Sequence, residues 1–248
     1  MYKNLPEMVN CKLIPRNFGH IGHLPGSKMI DVTDKLLHEN EITKFTVCKR
    51  DKDDLVIITE KIDGMNAGVV KKNGMLYPIN RKGYDSREMG IHCSDLQVLG
   101  DTWAEWVDQY YSIYDVMLKE GERLVFENCI IQHTLQYKFK DDPVFLLAKY
   151  SADNKRLDYK SLTRIAKYYK IPQPPLLNMG AAIPPQIILN QFPKGCVGVR
   201  GEIEGIVYTY EHNGQFESNA KFVSNKLIGT IHPQTTKFNR YKIWQDIV

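Results

Sequence analysis

Two Asn-Gly dipeptides, Asn73-Gly74 and Asn213-Gly214, constrain this 248-residue chain more than any other local feature. Each sits between apolar runs, AGVVKKNGMLYPIN around the first and GIVYTYEHNGQFESNAKFV around the second. Asn-Gly accepts positive φ at both central positions of a two-residue turn, the geometry whose twist matches the flanking strands. The sequence therefore predicts two β-hairpins. A β-branched run, LVIITE at Leu55–Glu60, reads as a buried strand ahead of the first hairpin. LVFENC (Leu124–Cys129) and VFLLAKY (Val144–Tyr150) read as two more strands.

Helical spacing occupies the ground between the hairpins. Trp103, Trp106, Val107, Tyr110, Tyr114 and Met117 recur at helix period in DTWAEWVDQYYSIYDVMLKEGE, with Asp101 as the expected cap and Gly121 as the end. A second helix is expected over Tyr159–Lys170, with Leu162, Ile165, Ala166 and Tyr169 inward, stopped by Ile171-Pro172. The Pro-rich stretch Ile171–Pro185 reads as an irregular surface connection. Strands and helices mix without strict alternation, so the expected class is α+β with mainly antiparallel sheets.

Composition excludes several classes. Hydrophobic residues make up 43% and charged residues 25%, near the globular average, which rules out wholesale disorder, a fibre or a small disulfide scaffold. The five cysteines are scattered without a C-x-x-C pair, and the seven histidines show no H-x-x-x-H spacing. Neither a zinc cluster nor a disulfide framework is supported. No stretch has the apolar length of a bilayer span, and the N-terminus lacks a signal-peptide core. The expectation is an intracellular, cytoplasmic protein, including a viral protein acting in the host cytoplasm, with no membrane partner. A net charge of +4 permits a polyanionic partner without establishing one.

The unusual local text is TEKIDGMN, Thr59–Asn66. A strand delivers Glu60 and Lys61 to its end, and Asp63-Gly64 turns the chain. A lysine on such a rigid element becomes a nucleophile when desolvation or a second cation lowers its pKa; a solvated lysine before an ordinary Asp-Gly turn fits the same text. Other residues stand at strand ends: Arg81 in NRKG, Glu127 in VFENC, Glu204 in EIEGIVY and Lys221 in AKFVSNK. Two lysines, an arginine and carboxylates in this arrangement suit a nucleoside triphosphate with a divalent metal.

In this order the segments resemble the ATP-dependent RNA ligases, a branch of the covalent nucleotidyltransferases that includes DNA ligases and mRNA capping enzymes. KIDGMN is similar to the superfamily's K-x-D-G motif. VFENCIIQHTLQY (Val125–Tyr137) resembles a third motif with the H-[ST]-[IL]-x-Y extension, and EGIVY (Glu204–Tyr208) resembles the E-G-[IV]-V motif. KFV with Lys226 behind it is similar to the last lysine motif, and HLPGS (His23–Ser27) to an N-terminal segment. The resemblance runs over roughly residues 15–226.

The resemblance implies an antiparallel-sheet adenylyltransferase fold, an ATP-grasp-like ligase catalytic domain with flanking helices. It implies that Lys61 attacks the α-phosphorus of ATP, that Glu60 helps read the adenine, and that Glu127 holds the ribose hydroxyls. Glu204 is expected to assist a metal, Mg2+ by oxygen-ligand chemistry, and Lys221 to contact the α-phosphate. Arg81 is expected to touch the AMP or the RNA end, and Asn66 to favour RNA ligase over DNA ligase or capping enzyme. Ala148-Lys149 stand where the family often shows Phe-Asp, so Phe145 is either the adenine-stacking ring or core packing. Val223 stands where a second lysine is usual, with Lys226 as its substitute.

Only 22 residues follow Lys226, so residues 1–248 are expected to be a single catalytic domain without a separate C-terminal domain. The acceptor implied is RNA with a 5′-phosphate and a 3′-hydroxyl; a partner subunit is left open. His23, Arg87 in YDSRE, and Lys237, Arg240 and Lys242 in the tail KFNRYKIW are the candidate RNA contacts, a tail docked by its aromatics being the alternative. Two other functions stay open: a different covalent nucleotidyltransferase, or a nucleic-acid-binding domain of this kind that has lost catalysis.

Overall fold

The structure, a computed structural model, describes residues 12–15, 17–29, 34–47, 51–91, 94–199 and 201–224. In chain order its elements are β1 (Gly22–His23), α1 (Glu39–Thr46), β2 (Asp54–Lys61), β3 (Met65–Lys72), β4 (Met75–Asn80) and a 3-10 turn (Ser86–Ile91). There follow α2 (Ser94–Gln109), α3 (Tyr111–Met117), β5 (Arg123–Asn128), β6 (Val144–Tyr150), α4 (Tyr159–Tyr169), β7 (Leu176–Gly180), α5 (Pro185–Gln191), β8 (Gly205–His212) and β9 (Gln215–Val223). The chain forms two compact units. The first draws on stretches 20–65, 129–146 and 156 onward, the second on 66–128 and 147–155 together with the residues before 20.

The first unit is built on a five-stranded sheet in the order β1-β9-β8-β2-β7. β8 pairs antiparallel with β2 along its whole length and with β9 through the second hairpin. Asn213 and Gly214 turn that hairpin with φ of 51° and 69°, as the dipeptide predicts. β1 adds two residues parallel to β9. One face carries Val56, Ile58, Ile206, Tyr208, Ala220 and Phe222 into the core, together with Leu24, Phe45 and Ile188. Phe45 meets Tyr208 and Tyr210 edge-on at 6.2 and 6.4 Å. At roughly 1.5–3 kcal/mol for each fully buried side chain of this size, this face fixes the strand register.

α4 obeys the sequence expectation closely. Asp158 caps it by accepting the Ser161 N–H at 2.9 Å, Glu211 accepts the Tyr159 N–H at 2.6 Å, and Lys170 ends it at φ 56° ahead of Pro172. The connection after it is not irregular throughout. β7 pairs antiparallel with β2, and α5 begins at Pro185. Pro174 and Pro175 precede β7 and so cost it no ladder bond; an edge strand flanked by prolines presents none of the β-branched pattern that reveals a strand.

The second unit holds a sheet in the order β4-β3-β5-β6, with β6 starting in the first unit. Asn73 and Gly74 turn the β3–β4 hairpin at φ 53° and 72°, and Glu120 accepts both of their N–H groups at 2.6 and 3.0 Å. Trp103 packs on Phe126 at 5.5 Å and donates to Gly68 O at 2.9 Å. The aromatic stripe is core, as its spacing requires, but its helix differs from expectation. α2 begins at Ser94, so Asp101 lies exposed in mid-helix and not at the N-cap. The helix also breaks at Tyr110, and α3 ends at Met117 rather than at Gly121. Among the described residues no helix is long and apolar enough to cross a membrane.

Candidate active site

Side chains alternate across a strand, so the sheet of the first unit sorts the residues of TEKIDG by face. Ile58 and Glu60 belong to the core face; Thr59 and Lys61 belong to the other. Thr59 pairs with Val207, Val207 with Lys221, and Lys221 with His23. Lys61 lies two positions beyond Thr59 and pairs with Gly205. Lys61, Lys221 and His23 therefore share one face, with the two lysine Cα positions about 12 Å apart from strand spacing and rise. Gly205 is required where it stands: a Cβ there would strike the Phe222 carbonyl.

Lys61 Nζ donates to Glu204 Oε2 at 2.5 Å, the carboxylate standing one residue before β8. Burial pushes the Glu204 carboxyl up, the Lys61 ammonium pulls it down, and nearby Asp63 adds to the rise. An ammonium must lose a proton before it attacks as an amine. A carboxylate with raised proton affinity in direct contact is placed to take it.

Asp63 is more than a turn residue. It is 6% exposed and accepts the backbone N–H groups of Thr134 and Leu135, at 2.8 and 2.5 Å, while His133 Nδ1 lies 2.7 Å away. The Tyr137 hydroxyl in turn accepts the Asp63 N–H at 2.9 Å. Burial pushes the Asp63 carboxyl up, but the His133 ring, Lys61 and the Leu135 N–H outweigh it and hold it below the usual range. The HTLQY segment is thus tied to Asp63, two residues after Lys61. The spacing of His and Tyr in that segment was the sequence signal for this tie.

Lys221 Nζ lies 3.0 Å from Asp34 Oδ1, a residue with no distinguishing local text. His23 is 1% exposed, with Ser27 Oγ at 2.6 Å from Nδ1 and Asp34 Oδ1 at 2.9 Å from Nε2. The structure gives His23 an internal role instead of the expected RNA contact.

Glu60 faces the core and is 1% exposed. Its Oε2 accepts the Cys196 N–H at 2.5 Å, and its Oε1 is buried without a hydrogen-bond partner. Burial pushes its pKa up to about 7, against the Cys196 and Val197 N–H groups. The carboxyl anchors the loop leading to Glu204. Phe145 likewise belongs to the core cluster, 5.7 Å from Phe139.

The second unit carries Asn66, Arg81, Arg87 and Glu127. Asn66 is held on both sides, accepting from Asn17 Nδ2 at 3.1 Å and donating to Phe126 O at 3.5 Å. Arg81 stands exposed in the turn after β4, and Glu127 is half-buried on β5. Arg87 grips Asp85 through Nε at 2.9 Å and a terminal nitrogen at 2.5 Å, so its expected RNA contact competes with a bidentate pair. Lys226, Lys237, Arg240 and Lys242 lie outside the described residues.

Among the described residues no three Asp, Glu, His or Cys side chains converge on a metal position. Glu204 alone still fits an ion such as Mg2+, which keeps water and takes substrate phosphate oxygens beside one or two carboxylates.

The RNA ligase family model matches residues 54–223, from the start of β2 to the end of β9. No curated protein sequence matches the chain. Among solved structures it is similar to the Naegleria gruberi RNA ligase with PPi, at 18% identity over 83% of this chain and 59% of that one, TM-score 0.53. It is also similar to a lysine-to-alanine mutant of the Naegleria gruberi RNA ligase with ATP and Mn, at 16% identity over 71% and 51%, TM-score 0.50. An archaeal ATP-dependent RNA ligase aligns at 14% identity over 84% and 48%, TM-score 0.47. The chain spans about half the length of the solved structures it matches. At these identities the likeness is one of fold, the α+β antiparallel-sheet architecture expected from sequence. The family model covers more than half of the chain, from the strand that ends in Lys61 to the strand that bears Lys221, and the chain belongs to the RNA ligase family.

Proposed function

We propose that this chain is an ATP-dependent RNA ligase acting through a lysyl-AMP intermediate. The observation that carries the reading is the Lys61–Glu204 pair at the end of β2, 2.5 Å apart, on the same sheet face as Lys221. Lys61 gives its proton to Glu204 and attacks the α-phosphorus of ATP. A P–N bond forms, the P–O bond to the β-phosphate breaks, and pyrophosphate leaves. Lys221 balances charge on the α-phosphate. Arg81, Asn66 and Glu127 keep the nucleotide roles that the resemblance implies. Positioning and charge supply most of the rate in such phosphoryl chemistry.

The AMP then passes from Lys61 to an RNA 5′-phosphate, and the RNA 3′-hydroxyl displaces it to form the phosphodiester. Magnesium, held by Glu204 and substrate oxygens, would neutralise phosphate charge; ATP and Mn in the Naegleria gruberi structure are consistent with a divalent ion.

Incubation with α-labelled ATP and Mg2+, then denaturing electrophoresis, tests the reading. The expected result is acid-labile label on the protein that is absent in Lys61→Ala. Unchanged labelling of that variant sinks the assignment. Preference for labelled GTP would move the chain to the capping-type branch, and sealing of nicked DNA over RNA to the DNA ligases.

A further inference from the structure

Lys221 is engaged before any substrate arrives. Its Nζ lies 3.0 Å from Asp34 Oδ1, and the same oxygen lies 2.9 Å from Nε2 of His23. Asp34 and Lys221 are both mostly enclosed, with side chains 15% and 20% exposed.

The network can be followed contact by contact. The Val223 N–H donates to Ser27 Oγ at 2.8 Å. Ser27 is therefore an acceptor toward β9, and its hydroxyl also lies 2.6 Å from His23 Nδ1. On the other side of the ring Nε2 lies 2.9 Å from Asp34 Oδ1, a close polar contact outside hydrogen-bond geometry. Burial lowers the His23 pKa, and the Lys221 and Lys61 charges lower it further against the pull of Asp34, which keeps the ring neutral. The chain of contacts begins on β9 at Val223 and returns to β9 at Lys221. A buried imidazole thus packs against the carboxylate that meets the ammonium.

A lysine on an open strand carries large rotamer freedom. Held in place beforehand, it needs no ordering when the phosphate arrives. We propose that Asp34, packed against the buried His23, is a positioning residue that fixes the Lys221 ammonium on the Lys61 face of the sheet. The inference rests on the ligase reading for what Lys221 does, but not for how it is held.

Two variants separate charge from geometry. Asp34→Asn keeps an oxygen for His23 and Lys221; Asp34→Ala removes it. Single-turnover labelling of Lys61 is measured for both variants, with and without Lys221→Ala. Asp34→Ala is expected to slow labelling by about 10- to 100-fold in the native background, the scale of a misplaced catalytic group. In the Lys221→Ala background the same change is expected to cost less than about twofold, because Asp34 acts only through Lys221. Asp34→Asn is expected to restore most of the rate. Equal losses in both backgrounds, or no loss in Asp34→Ala, overturn the proposal.

The nitrogen-15 signal of the Lys221 ammonium supplies a readout independent of ligation. It is expected to be protected from exchange in the native protein and in Asp34→Asn, and lost in Asp34→Ala. If the native protein forms no lysyl-AMP, the ligase reading fails and this signal alone decides. Its loss in Asp34→Ala upholds the positioning role, and its persistence overturns it.

Discussion

The Lys61 ammonium and the Glu204 carboxylate meet at 2.5 Å across the ends of β2 and β8. Each suits the other in the resting protein, and the proposed ligase reading requires the pair to exchange a proton and part. That makes Glu204 the residue whose titration should be visible in the first step.

Glu204→Gln keeps the shape and removes the proton acceptor. Labelling of Lys61 by ATP should fall by roughly 100-fold or more, the scale of lost general-base catalysis. Because burial raises the Glu204 pKa, the native rate should decline on the acid side with a midpoint above the ordinary carboxylate range. Rate–pH profiles check this: the acid limb should vanish in Glu204→Gln, and a limb that stays in place belongs to another group.

Asp63 stabilises the fold through the N–H groups it accepts. Asp63→Ala leaves the buried Leu135 N–H and the half-buried Thr134 N–H without their acceptor, and should cost about 2–4 kcal/mol in urea unfolding. The Asp63 carboxyl is held below its usual value in the folded state. Its contribution is therefore complete above the unfolded pKa and drains away as pH falls through the folded one. His133→Ala removes one of the groups that hold the value down, so acid unfolding of this variant should set in at higher pH. An unchanged acid midpoint would detach His133 from Asp63.

Glu60 works in the opposite sense. Its folded pKa of about 7 lies above its ordinary 4.5, so the fold prefers the protonated acid. Stability should be greatest below the unfolded value and decline as pH rises toward 7, with a total loss on the order of 3 kcal/mol. Glu60→Gln should flatten this decline. Urea titrations at pH 5 and pH 8 on both proteins make the comparison, and equal slopes would show that Glu60 is already ionised in the fold.

Gly195 accepts the loop around Glu60. It sits at φ 60°, and a Cβ there would strike Glu60 Oε1 and Ile203 Cγ2. Gly195→Ala should destabilise by about 1–3 kcal/mol through backbone strain and overpacking. Part of that cost should disappear in a Glu60→Ala background. Additive thermal shifts in the double variant would place the strain elsewhere.

Much of this was readable from residues alone. The Asn-Gly turns, LVIITE and VFLLAKY announced themselves because their signals are local: positive φ at two positions, β-branched runs in the strands. β7 hid because its residues are half-exposed at a sheet edge and bounded by prolines. Asp101 was mistaken for a cap because helical text continues upstream to Ser94 without a break. For the candidate site, Lys61, Glu204 and Lys221 were marked by motif, and the structure places them on one unit. That Glu60 and Phe145 lie buried on the core side was not legible, because motif proximity says nothing about which side of a strand a residue faces. Asp34 and the grip of Asp63 on Thr134 and Leu135 arise only when distant segments meet.

Glu60 and Lys61 are neighbours in sequence on opposite faces of β2, one enclosed by the core and one paired with Glu204. The strand consequently tolerates two kinds of genetic change very differently. Substitution along Leu55–Thr59 trades one apolar contact for another. Deletion or insertion of a single residue there exchanges the faces: the ammonium enters the apolar core, Glu60 takes the place of the nucleophile, and the register with β8 and β7 is lost together with it. A lineage that keeps this sheet intact is free to vary the letters of β2, but not to change how many of them precede the lysine.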